Sequence, residues 1–268
     1  MSRSTQLPQS RRDRRAAARQ ERPPPQRHRR RTGGAPVWRS PIALVTVSAI
    51  VLGAALVFLA LPKPSGHAGE LISPPGEYPA GVTRGDVIGS ATAPVVIQLY
   101  ADFQCPACRL FVTDQLHRLI DEFVVPGKVR LEAKDVAFLG RGTPDESLEL
   151  AAGAACATEQ DRYWQFHDLV FWNQGRENQG DHDVAFIGRI AEAAGVDRAE
   201  WDACVARSDV RPAITSRTAT AAAQGINQTP TLVVNGQAVV GVPSYDQLAG
   251  LIRSMATASP APNPSTTP

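Results

Sequence analysis

Cysteine is scarce in this sequence of 268 residues: there are four, and none precedes residue 100. Cys105 and Cys108 form a single CxxC, Cys156 and Cys204 stand alone, and no pair of histidines sits at ligand spacing. A structural zinc site needs a second ligand pair, so no metal site is expected. No cysteine stands directly after the long apolar run near the N-terminus, which excludes lipidation there. No internal repeat is visible. Acidic residues are nearly missing from residues 1–40, which hold twelve Arg against Asp13 and Glu21, a balance of +10, whereas the remaining residues carry −8. The two parts face different surroundings. Hydrophobic content is 43%, so most of the chain is expected to fold, as one or two domains.

Ile42 to Leu61 is a run of twenty residues without a charge. At about 1.5 Å per residue it reaches roughly 30 Å, the thickness of a bilayer's hydrocarbon core. A single transmembrane helix is therefore expected over residues 41–61. A buried core helix is the competing reading, but no amphipathic stripe is present and the flanks are rich in Arg and Pro. A cleaved signal peptide is a second competitor; the run and the basic segment before it are both long for one. The Arg cluster directly precedes the run, which places residues 1–40 in the cytoplasm and the rest outside. A nucleic-acid-binding arm would account for the charge but not for its position, so no nucleic-acid partner is expected. Residues 1–40, rich in Arg, Pro and Gln, read as a disordered tail. Residues 62–81, with Pro62, Pro64, Pro74, Pro75 and Pro79, read as a semi-extended spacer. Residues 257–268 read as a second disordered tail.

Between spacer and tail lies a domain over residues 82–256. Val95–Leu99 reads as a buried strand. Cys108, Val112, Leu116, Leu119, Ile120 and Phe123 recur at intervals of three and four, which predicts a helix with Cys108 on its buried stripe. Val129–Val136 reads as a second strand. Thr143-Pro144-Asp145-Glu146 reads as a capping box with Pro at the first helical position. It opens a block of five helices over about 143–225: one through Cys156, then Tyr163–Trp172, Val184–Ala194, Arg198–Arg207 and Pro212–Gln224. Asn235-Gly236 between Thr231–Val234 and Gln237–Val240 predicts a type I′ hairpin. Ser244 and Gln247 cap a last helix. The pattern is an α/β layer with a helical insertion.

The chemistry rests on Cys105-Pro106-Ala107-Cys108, at the junction of strand and helix. Pro106 suits the first helical position, which puts Cys105 at the N-cap, where free N–H groups and the helix dipole favour an anion. That lowers a thiol's pKa, and the thiolate is the reactive form. Cys108 lies one turn deeper. Cys105 is expected to be the exposed nucleophile and Cys108 its shielded partner. Thr229-Pro230-Thr231, taken alone, is a turn at a strand start with a trans bond; beside a CxxC on an α/β chain, a cis bond is expected.

Three segments resemble the DsbA branch of the thioredoxin superfamily. They are Tyr100-Ala101-Asp102-Phe103-Gln104-Cys105-Pro106-Ala107-Cys108, Tyr163-Trp164-Gln165-Phe166-His167-Asp168 with Asn173-Gln174, and Gln228-Thr229-Pro230-Thr231 with Val234-Asn235-Gly236. The resemblance, over about residues 82–255, implies a thioredoxin fold with a helical insertion. It implies Cys105 as nucleophile, Cys108 as resolving cysteine and Pro230 as a cis-proline beside them, with substrate chains pairing near Thr229. No cofactor is implied. The implied partners are exported proteins with free thiols and a quinone-linked membrane reoxidant of DsbB or VKOR type. Ala107 and Leu99 depart from residues often found in that branch, a His and a Glu respectively. A reductase or isomerase on the same scaffold, and a non-enzymatic holdase or metal-delivery module, are the alternatives. In an oxidising compartment Cys156 and Cys204, each on a helix of the insertion, are expected to form a structural disulfide rather than two buried thiols. His167, Trp164 and Trp172 read as packing within the insertion.

The charge-free run and its Arg flank predict that protease added to intact cells removes the folded domain. Protection of the domain until the cells are lysed would reverse this orientation.

Overall fold

The computed structural model describes residues 45, 50–53, 69–79 and 81–258. Residues 1–62 form a unit of their own, within which Val45 and residues 50–53 are helical. Among the described residues no helix is long and apolar enough to cross a membrane. Most of the expected span over 41–61, the tail over 1–40 and nearly all of the tail over 257–268 lie outside the described residues.

The second unit is built on a six-stranded sheet in the order β1-β2-β4-β3-β5-β6. Its strands are β1 (Thr83–Arg84), β2 (Val87–Ile88), β3 (Val95–Ala101), β4 (Val129–Asp135), β5 (Thr231–Val234) and β6 (Gln237–Val240). β3 runs parallel to β4 and antiparallel to β5. A parallel pair needs a crossover, and here it is helical. α1 (Pro106–Phe111) continues through π-helical turns at Val112–Leu116 and Ile120–Val124, which flank the short α2 (His117–Leu119). Cys108, Val112, Leu116, Leu119, Ile120 and Phe123 are all at most 2% exposed, so the stripe faces the sheet. Asn235 and Gly236 take φ of 43° and 87°, the left-handed pair that a type I′ turn requires.

The insertion comprises α3 (Glu146–Thr158), α4 (Tyr163–Trp172), α5 (Val184–Ala193), α6 (Arg198–Val205) and α7 (Val210–Ala223); α8 (Tyr245–Ala258) closes the chain. Reciprocal bonds between Ser244 and Gln247 cap α8, and Asp197 caps α6 by accepting from the Glu200 N–H. α3 is the hub, because its small residues admit neighbours closely. A Cβ on Gly153 would lie 2.8 Å from Phe166 and 3.1 Å from both Ile187 and Trp201. The Trp201 indole N–H donates to the Gly153 carbonyl at 2.9 Å. A disulfide joins Cys156 on α3 to Cys204 on α6.

Two expectations are corrected. Pro144 does not open α3: it lies before the helix, after a cis Thr143–Pro144 bond, and Asp145 is the N-cap, accepting from the Leu148 N–H. Glu146 cannot serve the expected cap because its carboxylate already accepts from the Gly180 and His182 N–H groups and meets His182 Nδ1. The proline-rich segment is not a free spacer throughout. Within it, Ile72 exchanges two hydrogen bonds with the Asn173 side chain, at 2.7 and 2.9 Å, and Leu71 and Tyr78 pack on the core.

The Cys156–Cys204 bond closes a loop of 48 residues, worth about 4 kcal/mol in the chain-entropy treatment. Replacing both cysteines by Ala should lower the melting temperature by several degrees or more and leave dithiol oxidation largely intact. Loss of activity in a folded double variant would place this pair in the electron path.

Candidate active site

β3 ends at Ala101, and the chain turns once before entering α1. The turn is held locally. The Asp102 carboxylate accepts from the Gln104 N–H, and the Asp102 carbonyl accepts from the Cys105 N–H, each at 2.9 Å. Cys105 is the N-cap with an extended backbone, and Pro106 occupies the first helical position. Pro106 has no N–H to orphan, so the first free amides of α1 belong to Ala107 and Cys108. Both donate toward the Cys105 sulfur.

The opposite wall comes from sheet register. β3 and β5 pair Tyr100 with Thr231, which brings the residues before β5 alongside the turn. Thr229 and Pro230 are joined by a cis bond, and the Cys105 thiol donates to the Thr229 carbonyl at 3.3 Å. The expected exposure of Cys105 is corrected here: it is 6% exposed, against 1% for Cys108. The Thr229–Pro230 loop stands directly against the sulfur. Pro106 is exposed and Ala107 half-buried, so the dipeptide is more accessible than either cysteine.

The two thiols are driven apart. The hydrogen bond from Cys108 lowers the Cys105 pKa from 9.0 to about 6 against the opposing effect of burial, with help from Thr229 and the two helical N–H groups. Cys108 moves the other way, well above the usual thiol range: burial penalises its anion, and the neighbouring Cys105 charge adds to the penalty. One proton is thus held between two sulfurs, on the deeper one.

A second layer fixes the turn, and sequence reading missed most of it. Asp102 is fully buried, and its carboxylate accepts from the Ser147 hydroxyl and the Leu139 N–H besides Gln104. Burial outweighs these donors and raises its pKa. The Gln104 side chain donates to Ser147 and accepts from the Asn178 N–H at 2.7 Å. Asn178 in turn donates to the Leu139 carbonyl. The available signal was an Asp directly after a buried strand, the usual start of an Asx turn. Leu99 sits on β3 at 1% exposure opposite Ala133 and Leu232, so no acid enters at that position. His167 is fully buried, bonded to Asp168 and packed on Phe171 and Trp164. Cys156 and Cys204 are paired with each other and take no part in this cluster.

The model of the thioredoxin family matches residues 82–254. The chain belongs to the thioredoxin family. It is 27% identical over 164 residues to the probable disulfide bond formation protein D of Bacillus cereus, covering 60% of this chain and 74% of that protein. Oxidised BdbD of Bacillus subtilis shares the fold, with a TM-score of 0.59 at 20% identity, covering 70% of this chain and all of that one. Oxidised DsbA of Mycobacterium tuberculosis gives a TM-score of 0.54 at 25% identity over 65% of this chain and 94% of that one. With the CxxC geometry and these relatives, this thioredoxin-family chain is a thiol–disulfide oxidoreductase.

The split titration makes a direct prediction. In the reduced protein, the rate of alkylation at one thiol should rise with pH through a midpoint near 6, and that thiol should map to Cys105. Because its folded pKa is depressed, the reduced form should lose stability relative to the oxidised form as pH falls through about 6. A midpoint near 9 would remove the assignment.

Proposed function

We propose that this protein is a membrane-tethered, extracytoplasmic oxidase that donates the Cys105–Cys108 disulfide to newly exported proteins. The observation that carries this reading is the opposite displacement of the two thiol pKa values. A stabilised Cys105 thiolate lowers the energy of the reduced enzyme at neutral pH, while the uncharged disulfide gains nothing from the same N–H groups. The oxidised form is correspondingly ready to accept electrons.

The exchange proceeds in two steps. A substrate thiolate attacks the Cys105 sulfur, the more accessible of the pair, breaking the Cys105–Cys108 bond and releasing the Cys108 sulfur, which takes a proton. A second substrate thiolate then attacks the substrate's own sulfur in the mixed disulfide. Cys105 departs as a thiolate, a good leaving group at a pKa of about 6. The substrate gains a disulfide, and the enzyme holds two electrons. Reoxidation by a quinone-linked membrane protein of DsbB or VKOR type would pass them on. Thr229 and Pro230 form the wall against which an extended substrate backbone would lie.

Three features support the setting. The charge-free run over 42–61 follows twelve arginines. Its described residues Val45, Ile50, Val51 and Leu52 are helical with side chains more than 60% exposed. The Cys156–Cys204 bond suits an oxidising compartment.

Cys108→Ala should stall as mixed disulfides through Cys105, visible on non-reducing gels, cleared by reductant and lost when Cys105 is also replaced. Mass spectrometry of the trapped bands reads direction. Exported proteins or a quinone-linked membrane protein support the oxidase, whereas a thiol-donating membrane protein indicates a reductase. Equilibration with glutathione gives the potential, with strong oxidants near about −120 mV and thioredoxin near about −270 mV. Absence of any Cys105-dependent adduct in a folded, exported variant would sink the assignment.

A further inference from the structure

Gln174 follows the last turn of α4, and nothing in the exchange chemistry above uses it. Its side-chain amide donates to two carbonyls of the active-site turn, Phe103 at 2.7 Å and Cys105 at 3.1 Å. Both N–H groups of the amide are therefore spent on the residues that carry the nucleophile. The Cys105 carbonyl has a second donor, the Arg109 N–H at 3.1 Å. The Phe103 carbonyl has no other hydrogen bond among the described residues. The peptide that begins at this carbonyl ends at the Gln104 N–H, which donates to Asp102. One peptide plane is thus gripped from both sides, by Gln174 on its oxygen and by a buried carboxylate on its nitrogen.

The base of Gln174 is rigid. The preceding Asn173 N–H closes α4 on the Leu169 and Val170 carbonyls. The Asn173 side chain donates to Leu169 and clamps Ile72. The Phe103 ring also packs on α4, 5.2 Å from Phe171 and 6.4 Å from Phe166 between centroids. Phe103 is 1% exposed, so its carbonyl, once released, would lack a partner unless the turn rotated or water entered.

We propose that Gln174 is a positioning residue for thiol–disulfide exchange: it fixes the Phe103–Cys105 turn so that the Ala107 and Cys108 N–H groups stay aimed at the Cys105 sulfur. The inference rests on Cys105 being the nucleophile. It assigns the helical insertion a part in the chemistry, since the amide that orients the reactive turn belongs to the insertion and not to the sheet.

The test is the pH profile of Cys105 alkylation in the full reduced chain, with melting temperature measured alongside. Gln174→Ala should raise the midpoint by about one unit, so that alkylation below the wild-type midpoint slows about tenfold. Gln174→Glu keeps the length of the side chain but, when ionised, has no N–H to give; it should raise the midpoint at least as far and covers the case in which the Ala variant does not fold. Asn173→Ala loosens the same helix end and the Ile72 clamp without touching the turn, and its midpoint should stay at the wild-type value. An unchanged midpoint in a folded Gln174 variant would overturn the proposal. So would an equal shift in Asn173→Ala, since general loosening would then account for both. A wild-type midpoint near 9 would instead overturn Cys105 as nucleophile, and this inference with it.

Discussion

A sulfur anion on Cys105 must be stable where water barely reaches it, at 6% exposure. Burial alone would raise that thiol's pKa, as it does for Cys108. The compensation comes from dipoles that are already oriented: the Cys108 thiol, the Thr229 side chain and two amides at the start of α1. Fixed dipoles stabilise a charge without the reorganisation that solvent would need. Each part of the surrounding structure can be traced to holding one of them. Pro106 sets the entry of the helix, the β3–β5 register supplies Thr229, and the stripe from Val112 to Phe123 anchors the helix to the sheet.

The partners also change with protonation. While Cys105 carries its proton, the S–H donates to the Thr229 carbonyl. Once the proton is gone, that oxygen has nothing to accept, and the Cys108 S–H becomes the strongest donor to the anion. The same bond that lowers Cys105 raises Cys108, so the two values describe one coupled pair. Differences in reactivity follow from depth: the sulfur of the residue at 6% exposure is the one that ionises, while that of the residue at 1% keeps the proton.

Much of this was legible in the sequence because it is locally encoded. α4 spans Tyr163–Trp172 as its composition indicates, the Asn235-Gly236 hairpin follows from residues that tolerate positive φ, and the Cys105 N-cap follows from Pro106. What stayed hidden is long-range. The bonds from Gln104 to Ser147 and Asn178, from Leu139 to Asp102 and from Ile72 to Asn173 connect residues 37 to 101 positions apart, and no periodicity announces them. The exposure of Cys105 was misjudged for the same reason, since the loop that covers it lies 124 residues away. Pro144 shows the limit of a local motif. Thr-Pro-Asp-Glu satisfies the sequence pattern of a capping box, but Glu146 is claimed by His182 across 36 residues, and the helix starts from Asp145.

Leu99 places an apolar side chain, not an acid, in the sheet beneath the active site, and the buried acid near the turn is Asp102. The Asp102 carboxylate is fully buried, but its oxygens already accept from Gln104, Leu139 and Ser147. These three donors tie it to the turn that presents Cys105. Asp102 therefore acts on the site through geometry, as the fixed end of the chain that runs from the Gln174 amide through the Phe103–Gln104 peptide. The proton on Cys108 has the Cys105 sulfur as its neighbour. The reduced pair then rests as a mono-anion with its charge on Cys105, ready to attack an incoming disulfide.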